Sequence, residues 1–228
     1  IAECLVGSEM CIRDRRRNMS KESLDSIDAK LSEMLTDSMR IYDLAMNCLL
    51  GDTNLDSVRD DLYSTDKKIN ELHRDVRREM IIHSAVNSRN LDIPLLLSYM
   101  TMSKDIERIG DYCKNLFEIA ETGNTFTQGD ELDDYIELRN DIGKLIIYLQ
   151  SCLNLEDESK VQDLITLGSS LSTNLDDKIT ALLENKEKVQ YPVATTLFFR
   201  YLKRIVSHIV NAATALIMPT DKIDYLDE

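Results

Sequence analysis

Lys104-Asp-Ile-Glu-Arg-Ile-Gly-Asp111 carries the strongest structural signal in this 228-residue chain. Leu97, Met100, Ile106, Ile109, Cys113, Leu116 and Ala120 set it within a helical apolar stripe. Glu107 and Asp111 are four residues apart, so on a helix they stand one above the other. Gly110 lies beside them in mid-helix, where glycine costs about 1 kcal/mol relative to alanine. A glycine kept there implies close approach of something to the backbone. The preceding segment carries a second polar ladder, Asp66, Asn70 and His73, at i, i+4 and i+7. Two such ladders facing across a helix pair could hold hard cations between oxygen ligands.

Working outward, the same period predicts six helical segments in two sets of three. The first covers about residues 21–50, with Leu24, Ile27, Leu31, Met34, Leu35, Tyr42, Ala45 and Leu49 apolar. Gly51-Asp52-Thr53 ends it and caps the second, about 54–83. The third opens with Asp92 as N-cap and Pro94 in the first turn, and Gly123 closes it. The remaining three cover about 131–153, 159–184 and 192–218. Short connections predict antiparallel neighbours, hence an all-α fold of two tandem three-helix bundles, 20–123 and 129–218, with a tail at 219–228. Residues 1–15 contain CLVGSEMCIRDR, which resembles translated sequencing-adapter read-through and is set aside from the fold.

Composition agrees with an all-α chain: no Trp, three Pro and seven Gly. A net charge of −14 excludes nucleic-acid binding, which needs clustered Lys and Arg, and suits cations or a basic partner surface. No run approaches the roughly 18 apolar residues of a membrane span, so no direct membrane insertion is expected. Five scattered cysteines (Cys4, Cys11, Cys48, Cys113, Cys152) without CxxC read as reduced thiols of a cytoplasmic protein. Cys48, Cys113 and Cys152 are expected in the core.

The third and sixth segments repeat each other. Ile106–Asn115 lies over Leu202–Asn211 at a constant offset of 96, matching Arg108 to Arg204, Ile109 to Ile205 and Asn115 to Asn211. The chemistry diverges where the apolar frame does not. Glu107 becomes Lys203, Gly110 becomes Val206 and Asp111 becomes Ser207. Gly168 and Ser172 stand where Asp66 and Asn70 stand in the first half.

On spacing alone, Glu107 and Asp111 also read as a solvated face paired with Lys104 and Arg108. Against that, both acids border the apolar stripe, where an unpaired carboxylate costs several kcal/mol and needs a metal or an Arg beside it. His73 reads as a surface or boundary residue, and His83 and His208 carry still less signal. A ferritin-like di-iron enzyme would need Glu-x-x-His pairs, and the residue three before His73 is Asn70. Nucleophilic catalysis has neither a Gly-x-Ser-x-Gly elbow nor a phosphate-binding loop. The acids at 130–134 read as the exposed first turn of the fourth helix.

Asp66-Lys-Lys-Ile-Asn-Glu71, followed by Lys104–Asp111 and Asn115, resembles the PhoU family of phosphate-uptake regulators, and the likeness spans about residues 20–218. Members have two tandem three-helix bundles, each with an acidic motif that binds metal. The resemblance implies Glu107, Asp111, Asp66 and Asn70 as ligands of divalent or ferric ions (iron, zinc, magnesium or manganese). Lys203 and Ser207 imply no metal in the second bundle, with Lys203 paired instead to a nearby acid. It further implies a non-catalytic adaptor between the phosphate ABC transporter ATPase and a membrane sensor histidine kinase, with a homodimer as an option. Alternatives are the cytosolic PhoU-like part of a sodium–phosphate cotransporter, a carboxylate-bridged metalloenzyme, and a metal-free helical scaffold.

Overall fold

In the computed structural model, residues 21–51, 53–86, 92–129, 131–153, 157–184 and 189–218 are described, with side chains from residue 25 onward. They form six α-helices: α1 Lys21–Leu50, α2 Leu55–Val86, α3 Ile93–Glu121, α4 Leu132–Cys152, α5 Glu158–Leu183 and α6 Pro192–Ile217. The helices α1, α2 and α3 pack mutually, as do α4, α5 and α6, giving two three-helix bundles. The bundles meet along α3 against α6 and α1 against α4, so α2 and α5 lie outermost. Cys4, Cys11, the 1–15 segment and the 219–228 tail fall outside the described residues.

One hydrophobic core runs through both bundles, joining Leu31, Tyr42, Ile109 and Phe117 to Leu149, Phe198 and Ile209. Cys48, Cys113 and Cys152 are free thiols buried within it, as the apolar period implied. Polar ties reinforce the joint: the Tyr42 hydroxyl of α1 donates to the Arg139 carbonyl of α4 at 3.1 Å. Between the bundles the chain turns at Gly123 and Gly129, where φ is +82° and +122°. Glycine reaches those values without the Cβ clash that other residues meet. Phe126 between them is buried, its N–H donating to the Leu49 carbonyl at 2.7 Å and its ring packing on Tyr135 and Phe198.

Two expectations need correction. Among the described residues the α2 cap is Asn54, whose side chain accepts from the Asp56 N–H at 2.8 Å, and Asp52 of the Gly51–Thr53 turn lies outside them. The Asn54 oxygen reaches the N–H two residues on and closes a local turn that Gly51, with no side-chain acceptor, cannot. Leu97 does not belong to the α3 core stripe, being half exposed. It lies nine residues before Ile106, about two and a half turns, on the opposite face of the helix. Leu95, Tyr99, Met102 and Ile106 form the buried row instead. The N-cap assignment of α3 is as read: Asp92 accepts from the Leu95 N–H at 3.0 Å, with Pro94 in the first turn.

Candidate metal centre

Antiparallel packing of α2 and α3 brings the two ladders face to face. Gly110 sets the closeness of that approach: a Cβ there would lie 3.1 Å from the Ile69 δ-methyl of α2 and 3.6 Å from that of Ile41 in α1. What comes near the glycine backbone is apolar side chain from two neighbouring helices. Ile69 is adjacent to Asn70 in sequence, so the same contact brings the Asp66–Asn70 turn alongside Glu107–Asp111.

The acids are sheltered. Side-chain exposure is 13% for Asp66, 16% for Glu107 and 26% for Asp111, so none projects into bulk water. Burial first, and then the Asp111 charge, push the Glu107 carboxyl above its ordinary pKa, with Asp66 adding to them. Arg108 and Arg77 pull the other way without reversing the shift. Asn70 donates its Nδ2 to the Asp66 carbonyl at 3.1 Å, which leaves its side-chain oxygen as a donor toward a cation.

Two side chains already answer these charges. The Lys114 ammonium stands 3.2 Å from Asp66 Oδ2 and 3.5 Å from Asp111 Oδ1. Arg108 reaches Asp111 Oδ2 at 3.0 Å and Glu107 Oε2 at 3.7 Å. Burial opposes the Lys114 charge, but Asp66 and then Asp111 outweigh it and hold its pKa above the ordinary lysine value. Three carboxylates against two cations leave the cluster anionic. Among the described residues, no three His, Cys, Asp or Glu side chains converge closely enough to hold a metal ion as they stand. The donors (three carboxylates and an amide oxygen) nonetheless have the chemistry of a hard-cation site.

His73, read from the sequence as a boundary residue, is buried and its Nε2 has no hydrogen-bond partner. Burial, with Arg77 and Arg108 adding to it, lowers its pKa from 6.5 to about 4, so the ring is neutral at pH 7. It sits at the inner edge of the α2 ladder because the helix period turns position 73 toward Val76 and Ile69.

The second bundle shows what replaced the acids. Lys203, in the place of Glu107, forms an ion pair with Asp176 of α5. Val210 stands in the place of Lys114 and meets Gly168, the equivalent of Asp66. A Cβ on Gly168 would approach Val210 Cγ2 to 2.4 Å. The ammonium–carboxylate bridge of the first bundle is thus a glycine–valine contact in the second.

One functional pairing lay beyond the sequence reading. Asp105 of α3 is fully buried and meets His208 Nδ1 of α6 at 2.9 Å, while its Oδ2 has no partner. The His208 ring stacks on Tyr112 at 5.6 Å. Asp105 falls four residues before Ile109 on the core row, a polar break in an apolar stripe that the spacing could have revealed.

The PhoU domain family model matches residues 31–120, from within α1 to the end of α3. The matched stretch contains every residue of both ladders. No curated protein matches the chain. Among solved structures, PhoU from Pseudomonas aeruginosa superposes with a TM-score of 0.65 at 17% identity, covering 86% of this chain and 96% of that one. The likeness therefore runs through both bundles at the level of the fold, whereas the PhoU sequence match is confined to the first. Among the described residues no helix is long and apolar enough to cross a membrane.

Proposed function

We propose that this chain regulates phosphate uptake and phosphate-responsive signalling from the cytoplasm, as a metal-binding adaptor between the phosphate ABC transporter ATPase and a membrane sensor histidine kinase. The observation that supports the reading is the Lys114 ammonium held between Asp66 of α2 and Asp111 of α3, with Glu107 feeling both charges, inside the stretch that the PhoU domain model matches. Asp66, Asn70, Glu107 and Asp111 would hold a divalent or ferric ion, iron, zinc, magnesium or manganese. Carboxylate and amide oxygens are donors that magnesium, manganese and ferric iron accept readily, and zinc also takes carboxylates. Such an ion, when bound, supplies charge neutralisation and cross-linking of α2 to α3.

The residues themselves do the rest. Lys114 and Arg108 offset much of the cluster's charge in the metal-free chain, so the two helices remain packed whether or not an ion is present. An entering ion competes with Lys114 for Asp66 and Asp111. That exchange would alter the charge presented on the outer face of α3, where a partner could read it. In the second bundle Lys203 supplies a permanent internal cation to Asp176, and no ion is expected there.

The test is a phosphate-regulated reporter in cells lacking this protein. Wild type should restore repression at high phosphate, and the variant carrying Glu107→Ala with Asp111→Ala should not. Full repression by that variant would remove the metal from the mechanism, and failure of wild type to repress would remove the regulatory role.

A further inference from the structure

The internal repeat keeps more than its apolar frame. At the offset of 96, Leu97 lies over Val193, Lys104 over Arg200 and Arg108 over Arg204. In each helix the two cations follow the apolar residue by seven and eleven positions, two and three turns on, so all three share one face. That face is solvent-facing in both: Leu97 is 50% and Val193 76% exposed, and Lys104, Arg108, Arg200 and Arg204 are all exposed. Packing accounts for the buried matches between α3 and α6. It gives no reason for an exposed pattern to occur twice.

These cations are also electrically out of place. The chain carries a net charge of −14, yet α6 contains no Asp or Glu at all. Lys104, Arg200 and Arg204 form no ion pair among the described residues, whereas most exposed bases on the other helices do. Beside the apolar end of the α6 row lies a cleft of about 520 Å³ between the end of α3 and the start of α6. Ile119, Val193, Leu197 and Tyr201 form its apolar wall, with Glu118 on the α3 side away from the arginines, and Leu197 continues the exposed α6 row at 40% exposure.

We propose that the open α3–α6 face is a docking surface for a partner protein presenting acidic amphipathic helices. The partner's apolar residues would seat in the cleft at Val193 and Leu197, with its carboxylates along Arg200 and Arg204. Leu97, Lys104 and Arg108 form a second copy of the same row. Because α3 and α6 run antiparallel, the two rows are related by an approximate two-fold axis, which suits a partner that is itself two-fold symmetric. An apolar anchor with a charged flank is the usual way a helix is held in a groove, and the complementary charge selects the partner. The α6 row is the stronger of the two, since Arg108 is partly neutralised by Asp111 and Arg204 is not.

This inference rests on the adaptor reading only in supposing that a partner exists, and its test needs neither metal nor phosphate. The probe is a labelled synthetic helix of about 18 residues with Leu on one face and Glu on the other, titrated with the full chain. A Lys-for-Glu version serves as control. Wild type should bind the Glu helix and not the Lys helix. Arg200→Glu with Arg204→Glu should weaken the Glu helix at least about tenfold and gain the Lys helix. Val193→Ser with Leu197→Ser should weaken the Glu helix in the wild-type background and the Lys helix in the charge-reversed one. All of these side chains are exposed, and an unchanged melting curve would show that folding survives. Equal binding of the two peptides, no binding of the Glu helix, or indifference to the arginine exchange would overturn the proposal. Arginine-dependent self-association, or binding to phosphatidylglycerol vesicles in place of the peptide, would overturn it as well.

Discussion

Between Asp66 and Asp111 stands the Lys114 ammonium, and a divalent ion approaching those carboxylates must displace it. Replacing Lys114 with Met removes the competitor while keeping the aliphatic stem. Calorimetric titration of the metal-free chain with manganese should then show affinity raised by roughly tenfold, equivalent to one pKa unit of interaction. Unchanged or weaker binding would place the ion elsewhere. Glu107 gives a pH signature of opposite kind to a salt-bridged acid. Its pKa is raised on folding, so its ionisation opposes the fold as pH climbs above the ordinary glutamate value of 4.5. Glu107→Gln should therefore stabilise the metal-free protein at pH 7, with the advantage fading in acid, as denaturant midpoints at both pH values would show. His73 is depressed to about 4, so its contribution is whole above pH 6.5 and disappears as pH falls toward 4. That loss amounts to about 3 kcal/mol, and His73→Leu should flatten that limb of the stability–pH curve.

Helix contacts carry their own tests. Gly168 lets α5 lie against Val210, and a methyl placed there at 2.4 Å from Val210 Cγ2 forces the helices apart. Gly168→Ala should cost about 1–3 kcal/mol despite its better helix propensity. Val210→Ala in the same chain should recover much of the loss, a coupling that a double-mutant cycle in urea would measure. His208→Ala strips the buried Asp105 of its partner across α3 and α6, and should cost about 3–5 kcal/mol. At this scale the sequence was most legible. A 3.6-residue period, Asp92 before Pro94, and Gly123 after the last apolar position mark α3 to within two residues. Leu97 escaped that reading because two apolar rows overlap at the start of α3, and residue counts over short spans do not separate them. The acidic ladder was visible for the same reason as the helices, being written at i and i+4 within one segment. Lys114 and the Asp105–His208 pair were not, because which residues meet across two helices depends on their axial register. Within-helix spacing says nothing about that.

Across the whole molecule, six helices share one core, and α3 gives one flank to α2 and another to α6. Neither bundle can open without exposing apolar surface of the other. Thermal unfolding should accordingly follow a single transition with calorimetric and van't Hoff enthalpies equal, and two resolved transitions would mean the bundles unfold separately. The duplication has kept that shared core while dividing the chemistry. The first bundle retains an anionic cluster answered by displaceable lysine and arginine, and the second has an internal Lys203–Asp176 pair with a Gly168–Val210 contact. The exposed cationic rows carry no motif of their own within either helix. They emerge only when the repeat is read on its solvent face.

Whether the first bundle alone holds metal is decided by elemental mass spectrometry of the purified chain, with Glu107→Ala/Asp111→Ala and Lys203→Ala/Ser207→Ala measured alongside. Metal should accompany wild type and the second-bundle variant and be lost from the first, whose helical content is retained. Equal metal in all three, or none in any after loading with manganese and iron, would contradict a first-bundle site.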